Sequence, residues 1–211
     1  MRWLDLLTRA QALADGGGRR ILGIAGGPGA GKSTVARRLV AGLRAAAVLV
    51  GMDGYHLAQS ELQRLGCAGR KGAPDTFDAA GYVALLRRLH TPDGGTVYAP
   101  EFRRAIEEPI AAAVPVPAGI PLVITEGNYL LLDIPPWSAI RELLDEVWFL
   151  APDDRTRRSW LAARHRRYGR TPQQAAERTT GSDEDNARLI APTALRADLT
   201  STPRSSTELR A

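Results

Sequence analysis

One stretch of nine residues constrains this chain more than any other. An apolar segment at residues 21–25 leads into a glycine-rich loop and then into a helical pattern that begins at residue 32. The stretch reads Gly26, Gly27, Pro28, Gly29, Ala30, Gly31, Lys32, Ser33 and Thr34. It fits the pattern G-x-x-x-x-G-K-[ST] in the strand–loop–helix context in which that pattern cradles phosphate groups.

The residue types explain how such a loop binds a nucleotide. Glycines let the backbone amides and the helix N-terminus approach phosphate oxygens closely. Lys32 is expected to reach the terminal phosphates, and the Ser33 hydroxyl is expected to bind Mg²⁺. The sequence therefore predicts binding of ATP or GTP with Mg²⁺.

Two nucleotide-binding classes are excluded by what the chain lacks. Guanine-specific switches use an Asn-Lys pair, but Lys32 follows a glycine and Lys71 follows an arginine. A transporter-type ATPase would carry a Ser-Gly-Gly signature and an apolar strand that ends in Asp-Glu, and the sequence has neither. An ATP-dependent small kinase is the class that remains.

Composition is consistent with a globular domain and sets limits on its partners. The chain has 211 residues, of which 44% are hydrophobic and 24% charged, as expected for one soluble domain. Its net charge of +5 would suit a phosphorylated small molecule, a nucleic acid or simply a basic surface. Of its 28 basic residues, only Lys32 and Lys71 are lysines, which marks both positions for attention.

The remaining compositional features concern cofactors and location. Cys67 is the single cysteine, so neither an internal disulfide nor a zinc site is expected. No apolar run approaches the ~20 residues that span a bilayer, and charges interrupt the N-terminal segment where a signal peptide would be apolar. We expect a cytoplasmic protein with no membrane partner.

Hydrophobic periodicity predicts the fold class. Short apolar runs alternate with amphipathic stretches, which is typical of a mostly parallel sheet covered by helices. The predicted class is an α/β three-layer sandwich of the P-loop NTPase type. The predicted strands are residues 21–25, 46–52, 122–125, 147–150 and a short 197–199, and the predicted helices are residues 2–14, 32–44, 78–90, 136–144, 153–168 and 172–190.

The same pattern divides the chain into three parts. Residues 1–18 are predicted to be an N-terminal packing helix with a glycine-rich turn, and residues 19–200 the nucleotide-binding domain. Residues 201–211 lack apolar periodicity and are predicted to be a disordered tail. The sequence leaves open whether the N-terminal helix packs on its own domain or on a second copy in a homodimer.

Acidic residues follow two of the predicted strands. Asp53 comes after the second strand, where a carboxylate could accept the proton of an attacking hydroxyl group. Glu126 ends the third strand, where it could hold Mg²⁺. The alternatives are a turn-forming Asp-Gly pair at Asp53 and a helix cap at Glu126.

At this point an ordered set of motifs resembles a known family. The glycine loop is followed by Gly-Met-Asp-Gly-Tyr-His at 51–56, Pro-Asp-Thr-Phe-Asp at 74–78 and Ile-Thr-Glu-Gly at 124–127. This set resembles the uridine kinase, phosphoribulokinase and bacterial pantothenate kinase group of P-loop kinases. The resemblance implies that Asp53 is the base, that Glu126 is the Mg²⁺-associated acid and that Tyr98 belongs to the substrate pocket.

The resemblance also implies a mobile, arginine-bearing lid at about residues 153–170. Helical spacing places Arg157, Trp160, Leu161, Arg164 and Tyr168 on one face. Arg164 is therefore the first candidate to stabilise transition-state charge, and Arg170 is the second. The alternative is a basic surface or a nucleic-acid patch, which the few interleaved aromatic residues disfavour. Arg158 and Arg166 are expected to be solvated.

Other residues are candidates for binding the phosphate acceptor. Tyr55 and His56 follow the proposed base, and Lys71 could reach a phosphate or an acidic substrate. The run 182–185 fits a helix-capping box. The expected partner is a small-molecule acceptor, with a nucleoside as the first expectation and pantothenate or a sugar as the alternative. A regulatory ATP-binding protein is the remaining alternative, and no nucleic-acid partner is expected.

Overall fold

Helices and strands alternate along the chain, as the sequence pattern predicts. The fold was derived from a computed structural model that describes residues 3–90 and 94–203. Its helices are α1 (Trp3–Asp15), α2 (Lys32–Leu43), α3 (Gln59–Arg64), α4 (Ala79–His90), α5 (Asp154–Arg167), α6 (Pro172–Thr180) and α7 (Ser182–Ile190). Its strands are β1 (Arg20–Ala25), β2 (Ala47–Gly51), β3 (Val97–Arg103), β4 (Glu108–Val116), β5 (Leu122–Gly127), β6 (Glu146–Leu150) and β7 (Leu199–Ser201).

The central sheet is parallel throughout. Its strands lie in the order β2-β5-β1-β6-β7, and each neighbouring pair runs in the same direction. Along β1, Ile21 and Ala25 face one buried core, and Leu22 and Ile24 face the other. Alternation of this kind buries both faces of the sheet. The predicted three-layer α/β fold is confirmed.

Helices cover the two faces of the sheet. On one face, α4 contributes the buried residues Tyr82, Leu86 and Leu89. On the other face lie α1 and α2, which share a core with β1, β5 and β6. Gly42 in α2 lets Leu7 approach, because an added Cβ there would lie 2.8 Å from its Cδ1 atom. The N-terminal helix thus packs on its own domain.

A β-hairpin stands apart from the main sheet. Strands β3 and β4 pair with each other in antiparallel register, with an irregularity between Ala99 and Glu101. The sequence analysis assigned no strands here, because prolines at 100, 109 and 115 and a run of alanines obscure the alternating pattern. The tip of the hairpin, residues 104–107, becomes important in the site described below.

Two predicted helices differ from the structure. The segment 136–144 forms two short 3-10 turns, Trp137–Ala139 and Arg141–Leu143, rather than a helix. The segment 172–190 is two helices, because the chain turns at Gly181 between α6 and α7. An added Cβ at that glycine would lie 2.9 Å from a carbonyl oxygen of α6.

The C-terminal end of the domain also differs from the prediction. The last strand is β7 at residues 199–201 rather than the predicted 197–199, so the predicted tail begins inside a strand. Residues 204–211, the rest of the predicted tail, lie outside the described residues. In the described ranges, no helix has the length and apolar character needed to cross a bilayer.

Candidate active site

The phosphate-binding loop joins β1 to α2, as the sequence predicts. Gly26, Gly29 and Gly31 have positive φ angles of 145°, 82° and 91°, a backbone region that favours glycine. Gly29 lies under α5, where an added Cβ would come within 2.7 Å of the Arg157 carbonyl oxygen. Gly31 caps α2 without a side chain, so the amides of the first helical turn can donate to an anion.

Lys32 opens α2 and lies buried against the loop. Its Nζ atom donates to the Gly27 carbonyl oxygen at 3.0 Å and to Asn128 Oδ1 at 2.6 Å. Burial lowers the pKa of Lys32 from 10.5 to about 8, although the nearby Glu126 carboxylate acts to raise it. A buried ammonium held by two neutral oxygens is well suited to binding phosphate oxygens.

Ser33 and Glu126 form an oxygen pair beside this lysine. The Ser33 hydroxyl donates to Glu126 Oε1 at 2.7 Å. Burial, and then the negative charge of Asp53, raise the pKa of Glu126, while Lys32 and the Ser33 hydrogen bond act to lower it. A bound cation would stabilise the ionised carboxylate here.

The Ser33–Glu126 pair fits a magnesium ion. Mg²⁺ takes oxygen ligands and is held in proteins by one or two carboxylates, with water and substrate phosphates completing its shell. Across residues 3–90 and 94–203, no group of three or more His, Cys, Asp or Glu residues is arranged to hold a metal. The pair would therefore share the ion with phosphate oxygens of the nucleotide.

Asp53 lies in the short turn that follows β2. The strand register places Glu126 of β5 beside Gly51, two residues before this aspartate. Arg104 Nη2 donates to Asp53 Oδ2 at 2.7 Å. Burial alone would raise the pKa of this carboxyl, but His56 and the cations Arg104 and Arg164 outweigh it, so the pKa is lowered. The group is a carboxylate at neutral pH.

His56 forms an aromatic wall next to Asp53. Its ring lies 4.0 Å from Phe77 and 4.7 Å from Phe102, measured between ring centroids. Burial lowers the pKa of His56, although Asp53 acts to raise it. Nδ1 lies 2.8 Å from the Asp53 carbonyl oxygen, to which the neutral imidazole donates.

These residues surround two adjoining cavities of about 490 and 360 Å³. The larger cavity brings together most of the predicted catalytic and acceptor-binding residues, namely Lys32, Ser33, Asp53, His56, Lys71, Glu126, Arg164 and Arg170. The smaller lies between the start of α2 and the helix α5. Both cavities are lined by Lys32, Ser33, Arg104, Arg164 and Tyr168.

Two predicted substrate-binding residues do not line either cavity. Tyr98 is 57% exposed, because the alternation along β3 turns Val97 and Ala99 inward and Tyr98 outward. Tyr55 packs against Tyr82 with ring centroids 5.2 Å apart. Tyr55 is partly buried and packs against the same core as Tyr82.

Helix α5 occupies the segment for which an arginine-rich lid was predicted. Arg157 and Leu161 are buried on its inner face, as helical spacing predicts, and Arg157 Nη1 donates to the Pro28 carbonyl oxygen at 3.3 Å. Arg164 follows on the same face and lines both cavities. Arg170 lies beyond the helix end, exposed at the rim of the larger cavity.

Carboxylates of α7 hold helix α5 in place. Glu184 accepts from Arg157 and from Arg158, each at 2.7 Å, and Asp183 lies 2.7 Å from His165 Nε2. These hydrogen bonds, from Arg158 first and then Arg157, lower the pKa of Glu184 to about 2. Residues 182–185 therefore do not form the predicted capping box: the N-cap is Gly181, with no side-chain hydrogen bond.

The structure adds site residues that the sequence analysis missed. Arg104 comes from the unrecognised hairpin tip, so no local pattern linked it to Asp53. Asn128 follows Glu126 by two residues, and its place just past a strand end was the available signal. Glu184 and Asp183 were read as caps because their partners on α5 are distant in sequence.

Comparison with known proteins places these features in context. Residues 21–209 match the model of the family described as "Phosphoribulokinase / Uridine kinase family". A protein of Schizosaccharomyces pombe provisionally named a uridine kinase is 34% identical over 197 residues, which cover 88% of this chain and 84% of that protein.

Solved structures give the same result for the fold. A protein of Silicibacter sp. TM1040, provisionally named a fructose transport system kinase, is 35% identical with a TM-score of 0.83. The alignment covers 93% of this chain and 98% of that one. YFH7 of Saccharomyces cerevisiae shares the fold with a TM-score of 0.81 at 19% identity, covering 97% and 99% of the two chains.

Proposed function

The chain belongs to the phosphoribulokinase / uridine kinase family and is an ATP-dependent kinase, and from this we propose that it phosphorylates a hydroxyl group of a small metabolite. A bond forms between the hydroxyl oxygen and the γ-phosphorus of ATP, and the bond from that phosphorus to the β,γ-bridging oxygen breaks. The hydroxyl proton passes to the Asp53 carboxylate, and ADP leaves.

One observation carries this proposal. Asp53, Lys32 and the Ser33–Glu126 pair come from the carboxyl ends of three adjacent strands and line one cavity. Ligands in open parallel sheets bind at this edge, and phosphoryl transfer depends mainly on positioning and charge stabilisation. The juxtaposition supplies a base, a phosphate clamp and a metal-binding pair.

Asp53 is suited to the role of base because it is ionised at neutral pH. Its low pKa makes it a modest base, but a loose phosphoryl-transfer transition state needs orientation of the hydroxyl more than strong deprotonation. The ion pair with Arg104 fixes the direction of the carboxylate. Oδ1 is left to accept from an acceptor hydroxyl.

Cations on the opposite side bind the nucleotide. Lys32 and the loop amides would hold the β- and γ-phosphates, and Arg164 would contact the developing charge from the lid. Arg170 would add a second cation at the rim. Mg²⁺ held by Ser33 and Glu126 would neutralise charge on the phosphate oxygens when bound.

The acceptor class is the part of the proposal that the relatives leave open. The two relatives of about 35% identity named above carry different names, a uridine kinase for one and a fructose transport system kinase for the other. A nucleoside is our first expectation from sequence, and pantothenate and sugars are the alternatives. ADP release with ATP, Mg²⁺ and a panel of these compounds, measured against a reaction without acceptor, would identify the class.

The decisive variant is Asp53→Asn. We expect kcat to fall on the order of 10²- to 10⁴-fold while ADP affinity, measured by calorimetry, is retained. Asp75→Asn is the matched control, since that carboxylate is 55% exposed and pairs with Arg70 outside the cavity. Acceptor phosphorylation at the parental rate in Asp53→Asn would disprove the assignment and favour a regulatory ATP-binding protein.

A further inference from the structure

A lysine lies across the larger cavity from the phosphate loop. Lys71 Nζ is 5.5 Å from the centroid of the Phe102 ring, and Arg104 Cζ is 5.6 Å from the same centroid. That ring also packs on His56, next to Asp53. Lys71 and the proposed base therefore line the same region of the cavity, on the side where an acceptor would bind.

The backbone that carries this lysine is fixed by four other segments. The Gly72 carbonyl oxygen accepts from Tyr129 Oη at 2.5 Å and from Asn186 Nδ2 at 3.2 Å. The Gly72 amide donates to Thr76 Oγ1 at 2.9 Å. Arg178 donates to the carbonyl oxygen of Lys71 itself. These hydrogen bonds fix the backbone from which the Lys71 side chain extends before any ligand arrives.

The ammonium itself has no carboxylate partner among the described residues. Its hydrogen bonds go to two neutral oxygens, Gln59 Oε1 at 3.3 Å and the Glu107 carbonyl at 2.5 Å. By contrast, Arg70 pairs with Asp75, on the outside. An ammonium has three donors, and a partly buried charge without a counter-ion is costly unless a ligand supplies one.

We propose that Lys71 binds an anionic group of the acceptor, so that the substrate is an alcohol that also carries a carboxylate or a phosphate. This inference rests on the proposed function. With the hydroxyl at Asp53, the anionic group would reach Lys71 along the wall formed by His56 and Phe102. A neutral nucleoside would leave the lysine unpaired, whereas pantothenate or a sugar phosphate would not.

The test compares compounds that differ in charge but little in shape. The matched pairs are pantothenol with pantothenate, glycerol with D-glycerate, and D-ribose with D-ribose 5-phosphate, and uridine is included. The first two pairs probe a carboxylate and the third a phosphate. We expect at least one charged member to have a KM roughly 10- to 100-fold below that of its neutral counterpart.

Variants at positions 70 and 71 test whether the preference for a charged acceptor depends on the Lys71 side chain. Lys71→Met should raise the KM for the charged acceptor by roughly the same 10- to 100-fold factor, with a much smaller change in kcat and no change for neutral compounds. Lys71→Arg should restore part of the affinity. Arg70→Met is the matched control and should change neither constant.

Calorimetry on the protein loaded with ADP and Mg²⁺ separates this inference from the proposed function. ADP fills the phosphate loop, so a charged probe must bind elsewhere. The inference would be overturned if charged and neutral members bound equally, if no charged member bound, or if Lys71→Met weakened the binding of both equally. In that case, turnover of a neutral acceptor would still leave the kinase proposal intact. Binding through Lys71 without phosphorylation of any compound would overturn the proposed function instead.

Discussion

Lys32 shows how burial sets the working range of a single residue. Its ammonium has a pKa of about 8 in the nucleotide-free protein, chiefly because of burial. Phosphate binding requires the charged form, which predominates below that pH and is lost above it. Asp53 differs, because its pKa is lowered and it stays ionised across this range.

This difference predicts a pH dependence of nucleotide binding. Between pH 7 and 9.5, ADP affinity should fall above pH 8, approaching roughly tenfold per pH unit, since phosphate groups are already ionised there. Calorimetric Kd values at each pH provide the measurement. In Lys32→Met the affinity should be weaker and the decline absent. A Kd that is constant up to pH 9.5 would contradict the role of Lys32.

At this scale, the sequence predicts residues whose function follows from local context. The glycine loop, Asp53 and Glu126 were predicted because each lies at or just past the carboxyl end of a strand, and these ends of a parallel sheet share one edge. Arg104 was not found, because its position depends on pairing between β3 and β4. Tyr98 was placed in the pocket by resemblance alone, and the alternation of β3 turns it to solvent.

Among the elements, α5 packs against the phosphate loop and is joined to α7 by Arg157, Arg158 and Glu184, a contact that we call the α5–α7 clamp. The Arg157 side chain is 5% exposed and that of Glu184 9% exposed, so their ion pair is buried. Removing one partner of a buried pair leaves the other charge uncompensated. Arg158 is 46% exposed, and its contact with Glu184 is screened by solvent and contributes less.

Glu184→Gln should therefore lower the free energy of unfolding by about 3 kcal/mol at pH 7. The matched control is Asp185→Asn, which should change it by less than about 0.5 kcal/mol, because Asp185 is 76% exposed and lies 3.9 Å from Arg188. Urea denaturation measures both differences.

The pH dependence of this effect has a defined sign. Hydrogen bonds from Arg158 and Arg157 lower the pKa of Glu184 from 4.5 to about 2. The carboxylate therefore stabilises the folded protein fully above pH 4.5, and this contribution is lost as the pH falls towards 2. The difference between the parental protein and Glu184→Gln should shrink between pH 5 and pH 3. A difference that is independent of pH would mean that the carboxylate charge is not what stabilises the clamp.

Elements were predicted where hydrophobic periodicity was clean. Helices α1, α2, α4 and α5 and the strands of the main sheet fall within a few residues of their predicted bounds. The hairpin was missed because proline and alanine obscure its alternation. In the segment 136–144 most backbone hydrogen bonds join residues three apart, as in Ile140 to Trp137 and Leu143 to Ile140, so it forms 3-10 turns rather than an α-helix. Periodicity alone also could not show that Gly181 splits a helix.

For the whole molecule, α1 is an integral layer rather than an appendage. Leu6, Ala10 and Ala14 are buried in the core that contains Leu39 of α2 and Trp148 of β6. The Cζ atom of Arg38 in α2 lies 3.7 Å from the centroid of the Trp3 ring at the start of α1, so the two helices are also in contact there. The helix predicted within residues 1–18 therefore shares one core with the rest of the domain.

Leu6→Ala should destabilise the entire domain by about 3 kcal/mol. Leu4→Ala is the control, since Leu4 is 66% exposed and its truncation should change stability by less than about 0.5 kcal/mol. Urea unfolding followed by tryptophan fluorescence and circular dichroism should give one shared transition. A main transition unaffected by Leu6→Ala would show that α1 does not contribute to the core.

The separation of the β3–β4 hairpin from the main sheet has a consequence for how such kinases diversify. The hairpin supplies Phe102 from β3 and Arg104 from its tip to the side of the cavity where we propose that the acceptor binds, yet neither of its strands pairs with β2, β5 or β1. Substitutions at the tip, residues 104–107, can therefore alter the cavity without breaking hydrogen bonds of the main sheet, whereas Val97, Ala99 and Val116 of the hairpin are buried in the core that it shares with that sheet. If the acceptor binds as we propose, the tip is the place where a preference for one acceptor over another can change while β1, β2 and β5 keep their pairing.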